Sequence, residues 1–178
     1  MLSFVRGAAP TTQTVCLADV LREFSSTVKP HLLDTGSTLS VPVLDNTLTL
    51  EGDKDELVGA LSNLAMNALE ASQSKVALQV WVGALNESWM QIRFSDDGPG
   101  IEDELLERVF DPFFTTRAAG TGLGLAVVAN TVSHHGGTVS VNQREGGGAE
   151  FVIELPIGCS MNETIERNAD SNLRKAAK

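Results

Sequence analysis

Apolar residues recur at helical spacing in three long segments of the chain, and each segment predicts a helix with one buried face. The first is Asp19–Leu33, the second Asp53–Ala71 and the third Leu123–Ser133. The second begins with an aspartate followed three residues later by Glu56, a spacing that is typical of a capped helix start. A shorter helix is predicted at Glu102–Phe110.

Seven other segments predict strands, because they alternate apolar and polar residues or are short and rich in β-branched residues. A turn-like sequence joins the second to the third and the sixth to the seventh, so each of these pairs is expected to form a hairpin. Helices and strands in this order predict an α/β two-layer sandwich, a mixed sheet with helices on one face. The strands are Thr14–Leu17, Leu39–Val43, Thr47–Leu50, Lys75–Val82, Met90–Ser95, Thr138–Gln143 and Glu150–Leu155.

Composition narrows the classes of function that this fold could serve. A chain of 178 residues suits a single domain, and a formal charge of −10 argues against a nucleic-acid binder, which needs a basic face. No apolar run approaches the roughly 20 residues that span a bilayer. No basic-then-apolar segment resembles a signal peptide, so we expect a cytoplasmic protein.

Two asparagines stand four residues apart in the second predicted helix. Asn63 and Asn67 therefore share one face of that helix, beside its apolar stripe. Asparagine is a mediocre helix former, and carboxamide oxygens suit a hard Mg²⁺ ion that keeps its waters and nucleotide phosphates. Taken alone, the pair is more typical of two solvent-exposed polar residues.

A second motif, Asp96–Gly100, follows the end of a predicted strand. The carboxylate of Asp96 can accept a hydrogen bond from the exocyclic amine of adenine. Gly98 and Gly100 would let the backbone approach a flat ring closely. An ordinary strand-to-helix turn uses the same residue types, so this motif is also weak alone.

Glycines also precede the third predicted helix, in the segment Gly120–Leu125, where exposed backbone N–H groups favour a phosphate. Just before them, Phe110–Arg117 carries three phenylalanines, which we interpret as an anchor for a mobile lid. Its last residue, Arg117, is a cation that suits nucleotide phosphates. A hydrophobic patch for packing or for contact with a partner is the alternative.

In this order, the four motifs resemble the N, G1, F and G2 boxes of bacterial sensor histidine kinases. The resemblance covers residues 14–156 and implies the Bergerat ATP-binding fold for them. Residues 1–13 would then be the end of a dimerisation helix and a linker, and residues 157–178 a polar tail.

The resemblance also implies which residues bind ATP and Mg²⁺. Asn67 would be the Mg²⁺ ligand, and Asn63 would support the metal and the phosphates. Asp96 would bind the adenine amine, and Arg117 would approach the γ-phosphate. The other residues assigned to the ATP site are Gly98, Gly100, Phe113, Thr115, Thr116, Gly120, Thr121, Gly122, Leu123 and Gly124.

Asn63 bears on the reaction as well. DNA gyrase, the heat-shock chaperone and mismatch-repair ATPases resemble this pattern, but they place a water-activating glutamate one turn before the metal-binding asparagine. An amide is no general base, so we expect slow hydrolysis and donation of the γ-phosphoryl group to a histidine on a separate domain. His31 lacks the setting of a phosphoacceptor. His134 and His135 close a helix, where a cationic histidine suits the dipole.

Partners follow from the same resemblance. They are the protein's own dimerisation and histidine-phosphotransfer domain, within a full-length homodimer, and a response regulator; the isolated chain would be a monomer. Only two residues separate Arg117 from Gly120. Such a short lid resembles the nitrogen-regulation type of sensor kinase, including polar flagellar ones that serve sigma-54 activators. The alternatives are a serine kinase acting on anti-sigma antagonists and a nucleotide-sensing or interaction module without transfer activity.

Overall fold

The computed structural model describes residues 13–72, 75–117, 120–144 and 146–158. The dimerisation helix and linker predicted before residue 13, and the tail predicted after residue 158, lie outside the described residues. In chain order the elements are β1 (Gln13–Cys16), α1 (Leu17–Thr35), β2 (Thr38–Ser40), β3 (Thr49–Gly52), α2 (Lys54–Ala71), β4 (Ala77–Ala84), β5 (Trp89–Asp96), α3 (Gly124–His134), β6 (Thr138–Gln143) and β7 (Ala149–Pro156).

The main sheet has five strands in the order β2-β4-β5-β7-β6, and β1 and β3 form a separate antiparallel pair. The β2–β4 pairing is parallel and the others are antiparallel, which confirms the predicted mixed sheet. Along β5, Met90, Ile92 and Phe94 are almost fully buried, whereas Arg93 between them is exposed. The three helices pack on this apolar face, as the edge-on contact of Phe94 with Phe24 of α1 illustrates.

Helix α1 runs further than predicted. It continues past Pro30 to Thr35, and Gly36 closes it with a φ of 68°. Proline removes one backbone donor, but Leu32 beyond it is buried, so tertiary packing holds the last turn. Within the described residues, no helix combines the length and the apolar character needed to cross a membrane.

The hairpin predicted between Leu39–Val43 and Thr47–Leu50 is wrong. The first segment contributes only β2, which pairs with β4, and the second contributes β3, which pairs with β1. Alternation of apolar and polar residues indicates a strand but does not select its partner. The hairpin of β6 and β7, which glycines join, is confirmed.

The helix predicted at Glu102–Phe110 is also shorter than expected. Only Asp103–Leu105 is helical, as a single 3-10 turn. Several N–H groups bond the carbonyl three residues earlier, as from Arg108 to Leu105 and from Asp111 to Arg108. The segment is therefore a series of tight turns and not an α-helix.

A histidine ties the start of α2 to the end of α3. Nε2 of His135 accepts a hydrogen bond from the backbone N–H of Asp53 at 2.9 Å, and its Nδ1 donates to the carbonyl of Thr131 at 2.7 Å. The ring thus bonds both helices, and the predicted role of His135 in closing a helix is confirmed. Gly52 makes room for the ring, since a Cβ there would lie 2.1 Å from the ring's Cδ2.

The carboxylate of Asp53 caps α2 as predicted. It accepts from the N–H groups of Asp55 at 2.8 Å and Glu56 at 3.1 Å. In a capping box, the glutamate side chain would accept a hydrogen bond from the N–H of Asp53. Here that N–H donates to His135 instead. The N-terminus of α2 is thus fixed both by its own cap and by the neighbouring helix.

Replacing His135 with leucine tests this link. His135→Leu leaves the Asp53 N–H and the Thr131 carbonyl without the ring, so the free energy of unfolding should fall by about 1–3 kcal/mol. Urea denaturation measures the change. His134→Leu is the matched control, because the His134 side chain is 62% exposed, and its effect should stay within about 0.5 kcal/mol. Equal losses for the two variants would show that the buried link contributes nothing.

Candidate functional site

One cavity of about 660 Å³ opens between α2, the loop after β5 and the segment that leads into α3. It brings together residues from all four sequence motifs. Three predicted site residues do not line it: Gly98, Phe113 and Leu123. The predicted residues that do line it are Asn63, Asn67, Asp96, Gly100, Thr115, Thr116, Arg117, Gly120, Thr121, Gly122 and Gly124.

Asp96 lies at the closed end of the cavity, where β5 ends. Its side chain is buried, and its Oδ1 accepts from the N–H of Gly98 at 2.9 Å and that of Ala149 at 3.4 Å. Burial raises the pKa of Asp96 above the ordinary aspartate value, and these two N–H groups partly lower it. Because both bonds use Oδ1, Oδ2 is left to accept from a ligand donor, such as the amine of adenine.

The turn between β6 and β7 supports the loop that follows Asp96. Arg144 donates to the carbonyl of Asp96 at 3.2 Å, and the amide of Gln143 donates to the carbonyl of Ile101. Gly148 packs so closely that a Cβ there would lie 1.9 Å from the carbonyl oxygen of Asp96. Sequence reasoning assigned the glycines of this turn only to a hairpin. Three glycines in a row are more than a tight turn requires, and this was the signal that the turn packs closely against another backbone segment.

The open end of the cavity is formed where α3 begins against α2. A Cβ on Gly124, the first residue of α3, would lie 3.4 Å from Nδ2 of Asn67 and 3.7 Å from Oδ1 of Asn63. The N-cap residue of α3, Leu123, makes no side-chain capping bond, and the flanking Gly122 and Gly124 line the cavity, so the positive end of the helix faces it. Both predicted asparagines therefore meet an anion-binding helix terminus.

Arg117 reaches across this open end to α2. Its guanidinium donates to Oδ1 of Asn67 at 2.9 Å and to the carboxylate of Glu70 at 2.5 Å. Its backbone is held in place, because the N–H of Arg117 donates to Oγ1 of Thr115 at 3.1 Å. Sequence reasoning missed Glu70; its spacing of three residues from Asn67, on the same helix face, was the available signal.

The phenylalanine segment does not act as one anchor. Phe110 packs edge-on against Phe151, and Phe114 lies under the guanidinium of Arg108 and lines the cavity. Phe113 instead is 74% exposed, with a φ of 67° that is rare for a residue other than glycine. Its N–H donates to the carbonyl of Gly122 at 2.8 Å, so it stands beside the glycine segment. Two rings anchor the segment, and the third points outward.

Outside the open end, exposed apolar side chains form what we call the apolar rim: Phe113, Leu123 and Val127. Leu123 and Val127 are 39% and 46% exposed and lie one turn apart at the start of α3. Exposed apolar side chains grouped beside a cavity are typical of a contact surface.

The residues present fit a magnesium nucleotide. Nδ2 of Asn67 is buried and has no hydrogen-bond partner among the described residues, and a phosphate oxygen would satisfy it. Oδ1 of Asn67 already faces a cationic group, the guanidinium of Arg117. In the described part of the chain, no three His, Cys, Asp or Glu side chains group as metal ligands. A single carboxamide ligand suits Mg²⁺, which takes its remaining ligands from waters and phosphates.

Comparison with known proteins gives a consistent result. Residues 52–158 match the family described as histidine kinase-, DNA gyrase B-, and HSP90-like ATPase. The sensor histidine kinase ZraS of Salmonella typhimurium is 36% identical over 157 residues, which are 88% of this chain and 34% of ZraS. The chain thus spans about a third of the length of this curated relative.

Solved structures agree with the family match. The catalytic domain of the histidine kinase ThkA is 27% identical with a TM-score of 0.71, covering 83% of this chain and 96% of that one. Full-length ShkA in complex with AMPPNP is 26% identical with a TM-score of 0.71, covering 86% and 33%. ThkA in complex with the response regulator TrrA is 26% identical with a TM-score of 0.66, covering 82% and 42%.

The contact of Gly148 with the Asp96 loop generates a test. Gly148→Ala should weaken ATP binding at least about tenfold, since a Cβ that meets backbone must displace the loop that holds Asp96. Gly146→Ala is the matched control, because Gly146 also has a positive φ, 91°, but a Cβ there meets nothing within 4 Å. Calorimetric titration with ATP measures both. Equal weakening by the two variants would contradict a specific role for Gly148.

The raised pKa of Asp96 predicts a pH-dependent effect on stability. Because burial makes ionisation harder in the folded chain than in the unfolded chain, the charge of Asp96 lowers the free energy of unfolding at pH values above its folded pKa. Asp96→Asn keeps an oxygen for Gly98 and Ala149 without the charge. The variant should therefore melt higher than the parent at neutral pH, and the difference should shrink as pH falls through the raised pKa.

Asp97→Asn is the control for this experiment, because Asp97 is exposed and its carboxylate accepts from Ala77 at 2.6 Å. It should show no gain in Tm. Asp96→Asn should also reduce the preference for ATP over GTP by about tenfold or more, as a hydrogen bond to a charged group is worth about 1.5–3 kcal/mol. An Asp96→Asn variant that melts below the parent and still excludes GTP would contradict the assignment.

Proposed function

The chain belongs to the histidine kinase-, DNA gyrase B- and HSP90-like ATPase family, and from this premise we propose that it binds Mg-ATP and donates the γ-phosphoryl group to a histidine of a separate dimerisation domain. The observation that carries the proposal is the convergence of three features on one cavity. These are Asp96 at the closed end, Asn67 at the open end and the start of α3, which no side-chain bond caps and which lies between α2 and the phenylalanine segment.

Each feature suits one part of the nucleotide. Asp96 would accept from the adenine amine, and the backbone at the start of α3 would receive phosphate oxygens. Asn67 would hold Mg²⁺, which supplies positive charge to the phosphates when bound. Arg117 has the charge and reach to meet the γ-phosphate once it leaves Asn67.

Transfer is favoured over hydrolysis by the groups that line the cavity. Asn63 stands one turn before Asn67, and an amide cannot take a proton from water. Three carboxylates line the cavity, and none stands at the position of Asn63. Asp96 is held by backbone N–H groups, Glu70 is paired with Arg117, and Glu102 is exposed in the loop after β5. Phosphoryl transfer depends mainly on positioning and charge neutralisation, so a site without its own base suits a donor.

The acceptor would be presented at the apolar rim. Phe113, Leu123 and Val127 expose apolar surface beside the open end of the cavity, where the γ-phosphate would lie. A dimerisation domain that packs there would bring its histidine to the phosphate within a full-length homodimer, whereas the isolated chain would be a monomer. Among the described residues, His135 is buried in a structural link, which leaves it no route to the phosphate.

The partners downstream follow the relatives. ThkA has been seen with the response regulator TrrA, and we propose that the phosphohistidine formed here passes its phosphoryl group to a response regulator in the cytoplasm. The short lid between Arg117 and Gly120 favours a regulator of the sigma-54 activator class, including those of polar flagellar genes. Anti-sigma serine kinase activity is less favoured, because the phenylalanine-rich segment is typical of histidine kinases.

A transfer assay tests the proposal. The chain is mixed with labelled Mg-ATP and the dimerisation domain of its full-length protein, and acid-labile label on that domain is measured. We expect labelled histidine, no label on the chain alone and slow phosphate release. Asn67→Ala should reduce Mg-dependent ATP affinity and labelling at least about tenfold, through loss of the metal ligand.

Asn130→Ala is the matched control, since Asn130 is an exposed helix asparagine that does not line the cavity. It should bind and label like the parent. ATP binding without any labelled histidine would contradict the kinase and favour a nucleotide-sensing module. Failure to bind ATP at all would contradict the site itself.

A further inference from the structure

The contact between Arg117 and Asn67 places a cation on the oxygen that the proposed site assigns to Mg²⁺. One nitrogen of the guanidinium donates to Oδ1 of Asn67 at 2.9 Å, and the other donates to the carboxylate of Glu70 at 2.5 Å. Asn67 and Glu70 lie three residues apart on one face of α2, so a single planar guanidinium spans both. The arginine is therefore held by two partners at the metal position.

We propose that Arg117 is a stand-in for the metal: its guanidinium occupies the Mg²⁺ position on Asn67 while no metal is bound. Glu70 is the positioning residue that holds the guanidinium there. This pairing makes the site discriminate against Mg-ADP. The inference rests on the proposed function, because it assumes that Asn67 binds Mg²⁺ of a nucleotide. Beyond that function, Glu70 gains a role in holding Arg117, and Arg117 gains a second role in which it competes with Mg²⁺.

Mg²⁺ and the guanidinium of Arg117 compete for one oxygen, Oδ1 of Asn67. A carboxamide oxygen that ligates Mg²⁺ at about 2.0–2.1 Å has no room for a guanidinium at the same face. The two cations also repel each other at that distance. Mg-nucleotide binding must therefore break the contact between Arg117 and Asn67.

What Arg117 gains on release differs between the two nucleotides. With Mg-ATP, the γ-phosphate offers a strong anionic partner in place of Asn67, so the loss is offset. With Mg-ADP there is no such phosphate, and the lost bond stays uncompensated. The same arginine thus opposes Mg-ADP and favours Mg-ATP, which would assist release of the product after transfer.

Two hydrogen bonds of the Arg117 backbone confine this exchange to its side chain. The N–H of Arg117 donates to Thr115, and the carbonyl of Arg117 accepts from the N–H of Gly120 at 3.0 Å. Because its backbone is fixed on both sides, Arg117 can turn its guanidinium from Asn67 to a phosphate while its own backbone stays in place. The side chains of Arg117 and Glu70 are 35% and 55% exposed, so their pairing is weak enough to break.

Calorimetry with two nucleotides tests the proposal on the full chain. The dissociation constants of ADP and ATP are measured with Mg²⁺ and with EDTA for the parent, Arg117→Ala and Glu70→Gln. For Arg117→Ala we expect Mg-ADP to bind roughly three- to tenfold more tightly and Mg-ATP more weakly. For Glu70→Gln, which keeps the arginine but loosens it, we expect Mg-ADP to bind about two- to threefold more tightly with no loss of Mg-ATP affinity.

Metal-free ADP separates the competition from a general charge effect. The tighter ADP binding of Arg117→Ala should depend on Mg²⁺. The dissociation constant of ADP in EDTA, divided by that in Mg²⁺, should therefore be larger for this variant than for the parent. Arg108→Ala is the matched control, because this variant removes the same charge nearby. The guanidinium of Arg108 packs over the ring of Phe114 at 4.7 Å. Its ratio should not change.

The outcomes that overturn the proposal are distinct from failure of the proposed function. If Arg117→Ala weakens Mg-ATP but leaves Mg-ADP unchanged, Arg117 serves only the γ-phosphate and the stand-in role is wrong. If Arg117→Ala tightens Mg-ADP and Glu70→Gln does not, the positioning role of Glu70 is wrong. If the parent binds neither nucleotide, the proposed function fails before this inference is reached.

Discussion

The packing of α2 against α3 is the constraint on which the candidate site depends. At one end, His135 bonds the backbone at Asp53 and so fixes where α2 begins. At the other end, Gly124 brings the start of α3 to within contact distance of Asn67. The two helices are thereby aligned so that a row of polar side chains meets a positive helix terminus, while the apolar faces of both close over the sheet. Without this alignment the asparagines would be two ordinary polar residues on a helix surface.

The charges in the cavity support the proposed role of the site as a phosphoryl donor. The closed end of the cavity holds a buried carboxylate, Asp96, whose ionisation is disfavoured by burial and partly restored by backbone N–H groups. The open end holds two asparagine amides, one helix terminus and Arg117, which is itself restrained by Glu70. A base that could activate water is missing from the position before Asn67, where Asn63 stands. These features support the proposed function, in which the site would bind and orient a phosphoryl group and an acceptor from another domain would complete the transfer.

Local signals in the sequence were sufficient for much of this. The alternation in β5 and the cap at Asp53 depend on neighbouring residues, and both were predicted correctly. What the sequence did not reveal depends on distant partners: the true partners of β2 and β3, the bond between His135 and Asp53, and the pairing of Glu70 with Arg117. Sequence spacing reports which side chains share a face, but it does not report which strand or cation will meet that face. For the same reason, only the structure shows that the β6–β7 turn supports the loop that follows Asp96.

The central claim is that the four motifs form one Mg-ATP site, and a crystal structure of the chain with Mg²⁺ and a non-hydrolysable ATP analogue tests it most directly. The account predicts the adenine amine on Asp96, phosphates at the start of α3, the metal on Asn67 and the guanidinium of Arg117 moved away from that asparagine. A nucleotide bound elsewhere, or a metal that leaves Asn67 bonded to Arg117, would contradict it.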